Sequence, residues 1–389
     1  MPKSIADRIR LAYKEEVTYG TAVTGANYQE LRTTSESLKQ DTTFKNSAEL
    51  RDDRQVAEVA RTSVAASGDI NGEVSYGTYD DLLSASLGSA AWSSPVTVGP
   101  IATIDAAASV GNTCIISDSG SGFGSINQYE WVKVSGFAAA VNNGIFKVSA
   151  ASSASITVYN ASATLEAAGA SVTIVQGAQI VNGTSLRSFT IEREYTDLTS
   201  ELVQFVGQVI NELGLNVTAD DFITARFGML GKNGASVTSS SGSGLDVATT
   251  TNVVNAVDHV LSVYENYGVY GVQNVSLSLT NNIRPRQEVA TLGPESYAYG
   301  KVNVTGTHRA YYEDKTVLDK YLAATDSALA FVIQDGAGNG YAIDLPRVKY
   351  TSGQRPPSGE NTDIIADLNY EAFRNSDEDV TIRIVRFAA

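Results

Sequence analysis

The chain has 389 residues, with 28 Lys plus Arg against 43 Asp plus Glu and a formal charge of −15, so it gains no general hold on nucleic acid through phosphate neutralisation. The length allows more than one domain. A single cysteine, Cys114, and two histidines far apart in sequence, His259 and His308, exclude an intramolecular disulfide and a cysteine zinc site and fit folding in a reducing cytoplasm.

Met1 to Glu30 mixes charges with small residues and is expected to be an arm that orders against a neighbour. Its first sixteen residues lack the apolar core of a signal peptide, and nowhere do eighteen apolar residues run together, so neither export by a signal peptide nor membrane spanning is expected. Leu31 to Arg61 is polar, and within it Glu49, Arg51, Asp52, Asp53 and Arg54 form a mixed-charge loop suited to meeting complementary charges on another subunit. Asp69 to Tyr76 alternates as a strand, with Ile70, Val74 and Tyr76 on one face and Asp69, Asn71, Glu73 and Ser75 on the other. A short helix follows from Tyr79 to Leu87, with Thr78 as N-cap, Asp80 and Asp81 in its first turn, and Gly88 as its stop.

From Val96 to Gly177 the texture changes to Ala, Ser, Gly and Val with frequent turn signals, and short strands are expected around Ile115, Val132, Phe146, Val158 and Ile174. This reads as a small all-β module, residues 96–177, inserted into a host domain made of residues 1–95 and 178–389. The module carries Lys133 and Lys147 against Asp105, Asp118, Glu130 and Glu166, a net −2 that leaves −13 for the host.

Alternation resumes in Arg187 to Tyr195, where Phe189, Ile191 and Tyr195 oppose Glu192 and Glu194. Leu202 to Ile210 is apolar on both faces, as in a strand covered on two sides. Phe222 to Leu230 continues the sheet, Gly231 to Thr251 is expected to be a mobile Gly/Ser-rich loop, and the spacing of Val253, Val257, Val260 and Tyr264 suggests a helix. Val272 to Arg309 holds two alternating strands joined by a long connection that opens at Arg284-Pro285-Arg286, and a lone pair of strands is marginal in water, so a larger sheet must take it in. A second short helix is expected at Val317 to Leu322. Asp335 to Gly340 reads as a hairpin connection rather than a calcium loop, because it lacks the bidentate acid. Asp363 to Phe373, with Asp367 and Glu371 on its outer face, and Val380 to Phe387 close the fold.

No chemistry is indicated. Gly120, Gly122 and Gly124 do not have dinucleotide-binding spacing, no P-loop lysine follows a glycine run, and neither histidine lies in a nucleophile motif. No catalytic residue, metal or cofactor is expected.

Three segments together, Gly68 to Leu83 (GDINGEVSYGTYDDLL), Arg187 to Tyr195 (RSFTIEREY) and Leu345 to Tyr350 (LPRVKY), resemble the tail tube proteins of long-tailed, non-contractile bacteriophages. The resemblance covers the host domain over about residues 28–95 and 179–389, and the insert is similar to the extra β-domains some of these proteins carry. It implies a mainly β protein, a sandwich or barrel with short helices, and hexameric rings stacked into a tube that conducts DNA without binding it. It also implies tape measure, tail terminator and tail-tip proteins as partners, and a virion protein assembled in the bacterial cytoplasm. Three acidic strand faces are then candidates for the lumen: Asp69 with Glu73, Glu192 with Glu194, and Asp367 with Glu371. The Glu49 to Arg54 loop becomes a candidate contact between subunits, and the module is expected to project outward and to be dispensable for tube closure. A second reading is a phage or bacterial surface protein, an adhesin or decoration module, that binds a carbohydrate or receptor through Trp131, Phe137 and Tyr159.

Overall fold

Two long strands organise the molecule, because each leaves one sheet halfway along and enters another. The structure is a computed structural model that describes residues 3–313, 315–354 and 359–389. The first half of Leu202–Thr218 pairs with Phe189–Tyr195 and Asn233–Val237, and its second half pairs with Thr224–Gly231 and Asn274–Thr280. The crossing falls at Gly207, whose φ of +68° and tight surroundings, 2.9 Å from a built Cβ to Lys232 and Tyr19, suit glycine alone. Gly340–Gln354 behaves in the same way. Its first part lies between Ser327–Gln334 and Arg383–Phe387, and beyond Pro346 it pairs with Ile365–Ala372.

The result is a two-layer host. In one layer, antiparallel strands run in the order Lys39–Asn46, Val59–Glu73, Thr224–Gly231, the second half of Leu202–Thr218, Asn274–Thr280, Asn303–Tyr311, Ile365–Ala372 and the end of Gly340–Gln354. The other layer runs Ala178–Val181, Arg383–Phe387, the start of Gly340–Gln354, Ser327–Gln334 and Val260–Glu265. The core lies between them, with Ile70, Phe227, Leu213, Leu277 and Leu368 from the first layer against Ile343, Phe331, Val263 and Ile384 from the second. The Val272 to Arg309 strands thus sit inside a larger sheet, as their marginal stability alone requires.

Several local expectations change. The N-terminal segment is built into the fold, with Ile9–Glu15 between Asn27–Leu31 and Phe189–Tyr195; Met1 and Pro2 lie outside the described residues. The first helix is Asp80–Ser86, and Thr78 does not cap it, because its hydroxyl is shared with Ser75 Oγ at 2.5 Å. Gly88 ends it at φ +68°, and the second helix, Thr316–Leu322, lies where its apolar spacing put it. The suggested helix at Val253 to Tyr264 is absent: the segment ends in the strand Val260–Glu265, where Val263 faces the host core and Tyr264 the opposite side. The Gly/Ser-rich stretch also contains strand, at Asn233–Val237 and Gly244–Asp246, the latter parallel to Asn27–Leu31. Asp335 does anchor a hairpin, accepting from the amides of Ala337 and Asn339 at 2.9 Å each.

Val96–Ile101 to Val172–Gln176 form a seven-stranded sheet of their own, with a separate core around Ile104, Phe123, Val132, Val148 and Ile174. The two ends are neighbours, Gln176 pairing with Val96, so the chain leaves and re-enters the host at one place. This unit is seated on the host's second layer. Trp131 and Ile145 pack against Tyr264, Ala330, Val332, Ala342, Val385 and Phe387, the side chains of that layer that point away from the host core. The second layer is therefore buried on both faces, which explains the unbroken apolar run from Ala328 to Ile333.

Candidate functional site

The first layer has one buried face and one open face, and the open face is almost wholly polar. Because side chains alternate along a strand, the buried positions Leu213, Leu215 and Val217 leave Glu212, Gly214, Asn216 and Thr218 on the other side. The registers extend this set into rows across the sheet. One row runs Asn71, Arg226, Gly214, Ser278, Thr305, Glu371 and Lys349, and the next runs Glu73, Thr224, Asn216, Ser276, Thr307 and Asn369. Asp69 with Glu212 and Arg309 with Asp367 lie in the flanking rows.

Neighbouring side chains on this face satisfy one another. Ser276 Oγ and Thr307 Oγ1 are 2.7 Å apart, and Asn274 Nδ2 donates to Asn216 Oδ1 at 2.9 Å. Arg226 on this face is held between two carboxylates, with Nη2 to Asp69 Oδ1 and Nη1 to Glu212 Oε2 both 3.0 Å. Contact with these acids raises the guanidinium pKa further and occupies the donors a phosphate would otherwise use. At the sheet's flank the Ser67 hydroxyl, 2.5 Å from Asp41, lowers that carboxyl's pKa below its ordinary value. Gly306 leaves room for Tyr370 to donate to Ser276 O at 2.8 Å; a Cβ there would come within 2.0 Å of that carbonyl.

Two of the three candidate acidic faces meet here. Asp69 with Glu73 and Asp367 with Glu371 flank the same open face, although they are about 300 residues apart in sequence. The third pair does not join them. Glu192 is only 3% exposed and accepts from Gln204 Nε2 at 2.9 Å and Ser241 N at 3.0 Å, while Glu194 is paired with Arg10. The alternation in Arg187 to Tyr195 was real, but its polar face is roofed by the Ser/Gly stretch, whose position no local pattern reveals. Glu212 was the residue missed, although the alternation of Asn211 to Thr218 carries the same signal as the other strands.

The mixed-charge loop sits at the tip of a hairpin formed by Lys39–Asn46 and Val59–Glu73, and residues 47–58 are exposed throughout. Arg51 is bidentate to Asp53 at 3.0 and 2.7 Å, Leu50 is 99% exposed and Phe44 is 61% exposed. The tip therefore presents apolar side chains to solvent beside its charge cluster. The aromatics of the second reading are occupied elsewhere: Trp131 and Phe137 are buried, and Tyr159 stacks on Tyr267 at 4.7 Å. Among the described residues no group of acids, histidines and cysteine could hold a metal ion, and no helix is long and apolar enough to cross a membrane.

A family model described as "Phage tail tube protein" matches residues 6–372. No curated protein matches the chain.

Proposed function

The chain belongs to the phage tail tube protein family, which makes it a structural protein of the virion's tail, and from that premise we propose that its open polar sheet is the inner wall of a tube that conducts DNA. Six copies would close their sheets side by side into one ring, and rings would stack. A barrel of about 18 strands already leaves an aqueous channel, so six copies contributing several strands each would leave a wider one. Closure also removes the lateral sheet edges, here Lys39–Asn46 on one side and the end of Gly340–Gln354 on the other, which would otherwise invite uncontrolled pairing.

The observation that carries this reading is the chemistry of the open face. It is a broad surface rich in Ser, Thr, Asn and acids, on which Arg226 is already neutralised by two carboxylates while Arg309 and Lys349 lie beside Asp367 and Glu371. Such a wall stays wet and denies sliding DNA the counterion release that drives binding. The module's seat supports the same orientation, because it lies on the layer opposite the open face and so would fall on the tube's exterior. A module there leaves no room for a contractile sheath, which favours a non-contractile tail.

The exposed hairpin tip from Glu49 to Arg54 would meet the next subunit or ring. Tape measure, terminator and tail-tip proteins are the partners the family implies, with assembly in the host cytoplasm. Negative-stain electron microscopy of the purified protein, with light scattering across a concentration series, tests the reading: rings or tubes are expected. Monomers only, even at high concentration with the tail's initiating complex present, would reject it.

A further inference from the structure

The seam between module and host contains more than apolar contacts. Lys147, on the module strand Gly144–Ala151, is 2% exposed and enters a cleft of the host. There Nζ lies 2.9 Å from Asp344 Oδ2, 2.8 Å from Glu378 Oε1 and 2.6 Å from Tyr267 Oη. Arg383 completes the group, donating to Glu378 Oε2 at 2.8 Å and to the module's Tyr129 carbonyl at 2.7 Å. All four ionic side chains are at most 4% exposed, and two cations meet two anions, so the group is neutral only while Lys147 is present.

Both acids sit next to one edge of the open sheet, Asp344 in the second layer and Glu378 in a turn. Asp344 lies in Gly340–Gln354, a few residues before that strand passes Pro346 and becomes the sheet's last strand. Glu378 sits in the turn that follows Ile365–Ala372, the strand beside it, and Asn375 Nδ2 of that turn donates to Pro346 O. One module lysine therefore ties the second-layer part of the strand that goes on to form the lateral edge to the turn that follows that edge strand's neighbour.

We propose that seating of the module, locked by Lys147 on Asp344 and Glu378, sets the geometry of this edge, so that the module is a condition of ring closure rather than an appendage. The proposal rests on the tube reading for its assembly readout, but the lock itself can be read in the monomer. Withdrawing Lys147 leaves a buried net negative charge, which a well-seated interface does not tolerate. Removing the charge of Glu378 at the same time restores neutrality, with Arg383 against Asp344.

The test compares wild type, Lys147→Met and the double variant Lys147→Met with Glu378→Gln, all in a Trp92→Phe background so that Trp131 at the seam is the one tryptophan left. Lys147→Met is expected to shift Trp131 emission to the red, to speed amide exchange in residues 328–332 and 383–387 at least tenfold, and to abolish tubes. The double variant is expected to recover all three. An unshifted seam in Lys147→Met, or tubes at the wild-type rate despite a shifted seam, would overturn the proposal, as would failure of the double variant to recover. If wild type forms no tubes, the tube reading fails, while the emission and exchange results still decide whether the lock exists.

Discussion

His308 is a buried titratable residue whose surroundings shape the protein's response to acid. It points into the host core from Asn303–Tyr311, wholly buried, with its ring 5.2 Å from Tyr270 and 6.2 Å from Tyr350, and neither ring nitrogen has a hydrogen-bond partner among the described residues. Burial lowers its pKa from 6.5 to about 4. Between those values the unfolded chain binds a proton that the folded chain refuses, so stability falls as pH drops below about 6.5 and this contribution levels off near 4. The loss is on the order of 3 kcal/mol. Denaturant titrations of wild type and His308→Leu from pH 7.5 to 4 should show the variant losing less stability over that interval; parallel curves would remove His308 from the acid response. On the open face, Asp367→Lys with Glu371→Lys should leave assembly largely intact, since water solvates either sign, yet slow DNA ejection at low salt. Each new phosphate contact adds a salt-dependent attraction that advancing DNA must break. Ejection rate against ionic strength is the measurement, and an unchanged rate at low salt would place the negative charge elsewhere. The same substitutions at Glu192 and Glu194 would not probe this wall, because Glu192 is buried beneath Ser241.

Among the elements, the hairpin tip and the module make opposite predictions about independence. The tip touches little of its own subunit, so Arg51→Glu with Arg54→Glu should leave the monomer's thermal midpoint within a degree or two while impairing polymerisation, since charge pairs at rims set specificity more than stability. Normal tubes from that variant would free the tip of any assembly role. The module cannot be removed so cleanly. Replacing residues 96–177 with a Gly/Ser linker would bare Tyr264, Val332, Val385 and Phe387, each worth about 1.5–3 kcal/mol when its burial is lost. It would also strand Asp344 without Lys147. A lower melting temperature and aggregation of the excised host are expected, in place of the dispensability the sequence suggested; an excised host as stable as wild type would refute this. These elements also show where sequence stopped being legible. Strands with one wet face, such as Asn274–Thr280 or Ile365–Ala372, declare themselves by alternation. Val260–Glu265 does not, because Val263 and Tyr264 are both buried, on opposite sides, and the remaining valines happen to fall at helical spacing. The roof over Glu192 was illegible for another reason: Ser and Gly carry no periodic signal, and what orders that stretch is a carboxylate about fifty residues away in sequence.

At the scale of the whole molecule, the order from one side to the other is open polar sheet, apolar core, second layer and module. That order turns a net charge of −15 into a placement. The acidic strand faces at either end of the chain become one surface, and Arg226 on that surface is spent on its own acids. The central claim is that this surface lines the channel. A helical reconstruction of tubes grown from the purified protein tests it most directly. The expected result is six-fold rings with Glu212, Ser278, Thr305 and Asn369 on the inner wall and Trp131's module on the outer one. Tubes whose inner wall is built from the module, or from any face other than this sheet, would contradict it.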